Sequence, residues 1–197
     1  MQWKHDGTVH LLHELSRGDL RVAEGRQRQP SAVVLDSQTV KTTEKGHPGV
    51  TTRTRRQKGG NDICWSTRLG LILSVSVHPA DEQDRDGAKR VLSPLRHCFW
   101  RLRKVWTDSA YRGRLVGWTR QPRRRERVDL EIVNKSKKAR GFAVEPHRWV
   151  VERTFGWLDR SRRLSKNYEG MTSSSEAFIT LSMISLIVGR LVTRLAF

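Results

Sequence analysis

The run Ser31-Ala32-Val33-Val34-Leu35-Asp36-Ser37-Gln38-Thr39-Val40 sets one carboxylate inside an otherwise apolar and β-branched stretch. Such a run suits a strand covered on both faces, so it predicts a sheet interior with other elements packed around it. An ionised oxygen there is strongly disfavoured unless something positive compensates it. A second strand-like run, Leu102-Arg103-Lys104-Val105-Trp106-Thr107-Asp108, ends on another carboxylate. A third acid, Glu152, stands among Val151, Phe155 and Leu158 in a segment with helical spacing. At 100° per residue, Arg148, Glu152, Asp159 and Arg163 share one stripe beside that apolar one. If Asp36 and Asp108 occupy neighbouring strand positions, the three acids form an oxygen-rich pocket suited to one or two Mg²⁺ (or Mn²⁺) ions. Two such ions about 4 Å apart can serve displacement at a phosphodiester.

The remaining segments place these acids in one mixed α/β domain. Residues 1–24 predict an amphipathic helix with Val9, Leu12 and Leu15 on its apolar side and Asp6 or Thr8 as cap. Residues 41–60 predict a basic loop or hairpin tip, Leu69–Val77 a strand, and Asp84–Leu95 a helix with Ala88, Val91, Leu92 and Leu95 on one side. Ser109–Gly113 reads as a turn, Val128–Val133 as a short strand, and 146–166 and 174–195 as two closing helices. The apolar stretch Ala177–Val188 carries Thr180, Ser182 and Ser185 and is shorter than the ~20 residues of a membrane span, so it reads as a core helix.

Charge narrows the partner. The 197 residues hold 38 Lys+Arg against 20 Asp+Glu, a net charge of +18. That surplus points to a polyanion and away from an enzyme of small neutral metabolites. Two cysteines, Cys64 and Cys98, cannot build a disulfide framework, and the first residues lack the apolar core of a signal peptide, which suits a reducing, cytoplasmic setting. Plainer readings compete at every position. An Asp at a strand end is most often a turn residue, Arg148 and Glu152 at i, i+4 are most often a surface pair, and Trp149, Phe155 and Trp157 read as packing rather than a base-stacking platform. His10 and His13 have no zinc-spaced partners.

Four ordered motifs add a resemblance. They are Val34-Leu35-Asp36-Ser37-Gln38-Thr39-Val40-Lys41, His78-Pro79-Ala80-Asp81-Glu82-Gln83-Asp84, Trp106-Thr107-Asp108-Ser109-Ala110-Tyr111-Arg112-Gly113 and Arg148-Trp149-Val150-Val151-Glu152-Arg153-Thr154-Phe155-Gly156-Trp157-Leu158. Over residues 31–170 the chain resembles insertion-sequence transposases of the DDE type, of the insertion-sequence-five, insertion-sequence-four-like group. The resemblance implies a ribonuclease-H-like mixed sheet flanked by helices over 29–197, preceded by a short helical segment at 1–28. It implies that Asp36, Asp108 and Glu152, spaced by 72 and 44 residues, are the catalytic and metal-binding acids. It also implies Mg²⁺ or Mn²⁺ as cofactor, double-stranded DNA as partner, no membrane, and two copies at paired element ends. The implied chemistry is phosphoryl transfer without a covalent protein intermediate: water cuts DNA at an element end, and the freed 3′-hydroxyl attacks a target strand. Lys41, Arg112, Arg148, Arg160 and Arg163 are the expected DNA contacts.

Departures from the family pattern accompany the match. The Tyr and Lys that relatives carry around the Arg and Glu are replaced by Glu145 and Asp159. Only 35 residues precede Asp36, fewer than in relatives, so the end-recognition part reads as shortened. Asn61-Asp62-Ile63-Cys64-Trp65-Ser66-Thr67-Arg68 stands where relatives have a strand of another sequence, and back-translation reads it as a compensated frameshift that would disturb a central strand and misplace Cys64 and Trp65. Two other readings stay open: a non-catalytic basic nucleic-acid-binding protein, and a gene remnant that does not fold cleanly.

Overall fold

A computed structural model describes residues 6–41, 59–79, 98–111, 128–133, 148–166, 168–169 and 171–195. In chain order they form α1 (Thr8–Ala23), β1 (Ala32–Lys41), β2 (Gly59–Thr67), β3 (Ile72–Pro79), β4 (Lys104–Thr107), β5 (Asp129–Ile132), α2 (Arg148–Leu158) and α3 (Thr172–Leu195). The sheet order is β3-β2-β1-β4-β5. β1–β2 and β2–β3 are antiparallel, whereas β1–β4 and β4–β5 are parallel. This is a five-stranded mixed sheet with helices packed on it.

Alternation along β1 explains its central place. Val33 and Leu35 enter a cluster with Leu73, Val105, Leu130 and Phe99. Val34 faces the other way, into a cluster with Cys64, Ile72 and Trp106. The second cluster is covered by Val151, Phe155 and Leu158 of α2, by Ile179, Met183 and Ile187 of α3, and by Leu20 of α1. Each of those stripes recurs at helical spacing, so the three helices share one face of the sheet.

Several boundaries differ from the sequence reading. β3 starts at Ile72 rather than Leu69, because Arg68–Leu71 is a tight turn in which Thr67 O accepts from Gly70 N–H at 2.8 Å and Leu71 O accepts from Thr67 N–H at 2.9 Å. Residues 61–67 form a strand that keeps register with β1 from Val33↔Thr67 to Lys41↔Gly59, and Cys64 is buried rather than misplaced. An irregularity between Trp65 and Ser66 in the β2–β3 ladder is the local disturbance that remains. The basic loop expected over 41–60 gives up Gly59 and Gly60 to β2, while 42–58 and the helix expected over 84–95 lie outside the described residues. α2 ends at Leu158, well short of the expected 166, because its core stripe is complete there and Ser161 turns extended (φ −76°, ψ 114°). Arg163 therefore sits on a separate 3₁₀ turn, Arg162–Leu164, and leaves the Arg148–Glu152–Asp159 stripe.

α1 forms where expected but shows a different face. Leu12 and Leu15 are about half exposed, whereas Val9, His13, Arg17, Leu20 and Arg21 are turned inward. Long guanidinium side chains can cover apolar surface with their stems. Arg17 lies over the Phe99 ring at 5.0 Å, and Arg21 Nε donates to the carbonyls of Gln27 (2.9 Å) and Arg28 (3.1 Å), fastening the chain reversal after the helix. Gly7, at φ 79°, occupies the cap position without a side-chain bond, while Asp6 Oδ1 accepts from Thr8 N–H at 2.9 Å.

The inward face of α1 carries a pH consequence. Burial, then the charges of Arg17 and His10, push the His13 imidazole down from 6.5 to about 3, and its Nε2 has no hydrogen-bond partner among the described residues. A folded-state value below the unfolded one means the contribution is complete above about pH 6.5 and is lost as pH falls toward 3. Between pH 8 and pH 5 the wild type is expected to lose about 2 kcal/mol from this group alone, at 1.36 kcal/mol per unit. Paired thermal melts of wild type and His13→Leu check this: the gap between the two should move in favour of the variant on acidification, and a pH-independent gap would refute the assignment.

α3 is long and apolar enough over Thr172–Arg194, with mean hydropathy 1.6, to cross a membrane by length and composition. In the fold its Ile179–Met183–Ile187 stripe is core, and Leu181, Val188 and Val192 remain on the outside.

Candidate active site

The β1–β4 register positions the first two acids. The ladder runs Ala32↔Lys104, Val33↔Val105, Val34↔Trp106. Continued by two residues, it sets Asp36 level with Asp108, which directly follows the last residue of β4. Both acids share the parity of Val34 and Trp106, so they belong to the sheet face that α2 covers. Asp36 also stands opposite Cys64 of β2. Its Oδ1 accepts from Ser37 N–H at 2.8 Å, and both acids are half-buried. The end of β4 is pinned on either side of Asp108: Thr107 O accepts from Val133 N–H at 2.8 Å, and Asp108 O accepts from Tyr111 N–H at 3.4 Å.

The third acid, Glu152, is carried by α2, whose Val151 and Phe155 pack on that face. Its neighbour Val151 is fully buried while Glu152 itself is exposed, so the carboxylate is turned away from the helix–sheet contact. Among the described residues no group of three His, Cys, Asp or Glu side chains is gathered closely enough to hold a metal ion. The three carboxylates fit a hard divalent cation by chemistry, and two of them, Asp36 and Asp108, share a face by strand parity. Convergence on one ion requires Glu152 to swing toward the strands.

What seats α2 is the turn before β3. Gly70 has φ +75°, and a Cβ there would meet Trp157 Cζ3 at 2.7 Å and Thr154 Oγ1 at 3.0 Å. The Thr154 hydroxyl lies 2.8 Å from the Val150 carbonyl and 3.2 Å from that of Gly70. From α3, Arg190 donates to the Leu69 carbonyl at 3.3 Å, and Arg190 and Arg194 both pair with Glu24 at 3.2 and 2.9 Å. The Glu152 helix is thus held against the sheet by a glycine turn and a clamp between α1 and α3.

The expected cations fall in different settings. Lys41 ends β1 and Arg148 begins α2, with side chains outside the described residues, and Arg112 lies wholly outside them. Arg160 is exposed just past α2. Arg163 pairs with Glu169 at 2.6 Å and lies over Phe178 at 4.8 Å, so its charge is already compensated. It borders a cleft that continues along the Asp36 face past Gln38 and Cys64 to Phe155, Asp159, Tyr168 and Phe178. Burial raises the Asp159 carboxyl above its usual range.

Sequence reasoning missed two features. One is Gly70 as the seat of α2, where the only signal was a Gly at the start of a strand-like run. The other is a stack on the flank of α2: Arg153 lies over Trp149 at 4.4 Å and over Trp157 at 4.7 Å, and Arg190 over Trp157 at 5.6 Å. The i, i+4, i+8 spacing of Trp149, Arg153 and Trp157 was its legible trace.

Residues 27–187 match the family model of the transposase DDE domain. No curated protein sequence matches the chain. Among solved structures, a crystal structure of the Mos1 strand transfer complex is similar over 90% of this chain and 60% of that one, with 12% identity and a TM-score of 0.43.

Proposed function

The chain belongs to the DDE-domain transposase family, and from that premise we propose that it cleaves DNA strands and transfers them at a divalent-metal centre formed by Asp36, Asp108 and Glu152. The observation that supports this reading is the β1–β4 ladder from Ala32↔Lys104 to Val34↔Trp106: continued by two residues, it would bring Asp36 of β1 level with Asp108, just past β4, on the face that α2 covers. Divalent ions, when bound, supply Lewis acidity and neutralise charge developing at the phosphorus.

The chain's own residues do the positioning. Asp36 and Asp108 ride on backbone fixed by the sheet, while Glu152 closes the site from α2. Lys41, Arg112, Arg148 and Arg160 would hold the sugar-phosphate backbone, and Arg163 could do so only by releasing Glu169. The net charge of +18 supplies the non-specific attraction that brings DNA to the site. Pairing of two element ends would use two copies of the chain. The departure at 61–68 reads as a shifted reading frame in an insertion-sequence-five relative, and the gene's nucleotide sequence checks it by whether a frame restoring the family pattern exists.

The test is Mg²⁺- or Mn²⁺-dependent nicking of a supercoiled plasmid by wild type and Glu152→Gln. Glu152 is exposed, so its replacement leaves packing intact. Nicking that needs metal and falls at least ~100-fold in the variant supports the reading, since removal of one group stabilising developing charge costs about 10²–10³-fold. DNA binding without nicking in either protein would instead favour a non-catalytic nucleic-acid-binding chain, the alternative that the ungathered acids support.

A further inference from the structure

The flank of α2 away from the Asp159 cleft carries a cation with no carboxylate among the described residues to neutralise it. Arg153 is clamped between the indoles of Trp149 and Trp157 at 4.4 and 4.7 Å. Its Nε is buried without a hydrogen-bond partner among the described residues, yet the side chain as a whole is only partly buried. Arg190, beyond Trp157, is by contrast tied to Glu24 and the Leu69 carbonyl, and Trp149 is 43% exposed. Burial of an unpaired guanidinium nitrogen is costly, and here no acid among the described residues repays it. A guanidinium fixed between two rings has already lost its rotamer freedom, so a phosphate that meets it gains a directed, charge-assisted bond at small further ordering cost.

We propose that Arg153, held by Trp149 and Trp157, is a DNA-positioning residue that grips a backbone phosphate of the strand lying along α2 beside Glu152. This rests on the DNA-processing reading above and extends it to residues to which that reading gives no role. Charge complementarity selects the occupant, because the flank presents an unneutralised cation and an exposed indole on a chain of net charge +18. From Trp149 to Trp157 the helix advances about 12 Å, the axial length of about three to four phosphate-to-phosphate steps on one strand.

Fluorescence anisotropy of a labelled 30-base-pair duplex with the full chain, without divalent metal and over a range of NaCl, tests this. Arg153→Gln is expected to weaken binding about tenfold at 0.1 M salt. It should also reduce the slope of log K against log salt by about 0.9, one phosphate contact. Arg153→Lys keeps the charge but loses the planar clamp, so its slope should stay near wild type while affinity falls several-fold. Should Arg153→Gln fail to fold, Arg153→Lys with normal melting carries the test, and undiminished affinity there overturns the proposal. A lowered melting temperature with unchanged affinity and slope in Arg153→Gln would make the clamp purely structural and also overturn it. Wild type that binds no DNA would sink the DNA-processing reading together with this one, whereas normal wild-type binding with an unaltered variant sinks this one alone.

Discussion

Asp36→Asn is expected to lower metal-dependent DNA nicking by about 10³-fold while leaving the melting temperature within a few degrees of wild type. The asymmetry follows from what the side chain does in each role. Structurally, its Oδ1 accepts from Ser37 N–H at 2.8 Å, and an asparagine carbonyl can accept the same bond. The strand around it is held by full pairing with β2 and by Val33, Val34 and Leu35, none of which the substitution touches. Chemically, the loss of a negative charge level with Asp108 removes a ligand from a centre built of hard anionic oxygens, which an amide replaces poorly. A large loss of stability with proportionate loss of nicking would mean that the acid is structural.

Gly70→Ala is expected to be the most damaging small substitution outside the acids. Two costs combine. The backbone at φ +75° disfavours any L side chain by about 1–2 kcal/mol. The added methyl must also displace the Trp157 ring from 2.7 Å and the Thr154 hydroxyl from 3.0 Å, and overpacking of this kind costs about 1–3 kcal/mol. Together about 3 kcal/mol should appear as a fall in melting temperature of roughly 10 °C. Because Thr154 and Trp157 belong to the helix that carries Glu152, nicking should fall further than the unfolded fraction explains. Gly25→Ala is the control: its φ is +67° but nothing lies within 4 Å of the added atom, so only the conformational cost of about 1–2 kcal/mol remains. Equal effects at the two glycines would show that α2 is not seated on this turn.

How much of this was legible beforehand depends on the range of the interaction. The strand at Ala32–Lys41, with its carboxylate, was readable because burial on both faces leaves consecutive apolar residues at Ala32–Leu35 and β-branched ones at Thr39 and Val40. The short β4 was readable for the same reason, and β5 by its alternation, with Leu130 buried between the exposed Asp129 and Glu131. The end of α2 was not, because nothing local stops a helix at Leu158. Its core stripe is complete there, and the chain turns to reach α3. The inward face of α1 was misread because Arg17 and Arg21 bury their stems and find a ring and two carbonyls as partners, which no hydrophobic count anticipates. For the acids, spacing alone left them a guess. The β1–β4 register makes neighbours of two of them, and only tertiary packing brings the helix of the third onto their face.

The central claim is that Asp36, Asp108 and Glu152 form one metal centre, and Mn²⁺ binding followed by electron paramagnetic resonance tests it without requiring turnover. Titration of the full chain should show one or two ions bound by wild type. Asp36→Asn, Asp108→Asn and Glu152→Gln, each retaining its cooperative melt, should each bind at least tenfold more weakly. Mn²⁺ binding of equal stoichiometry and affinity in wild type and all three variants would contradict the account.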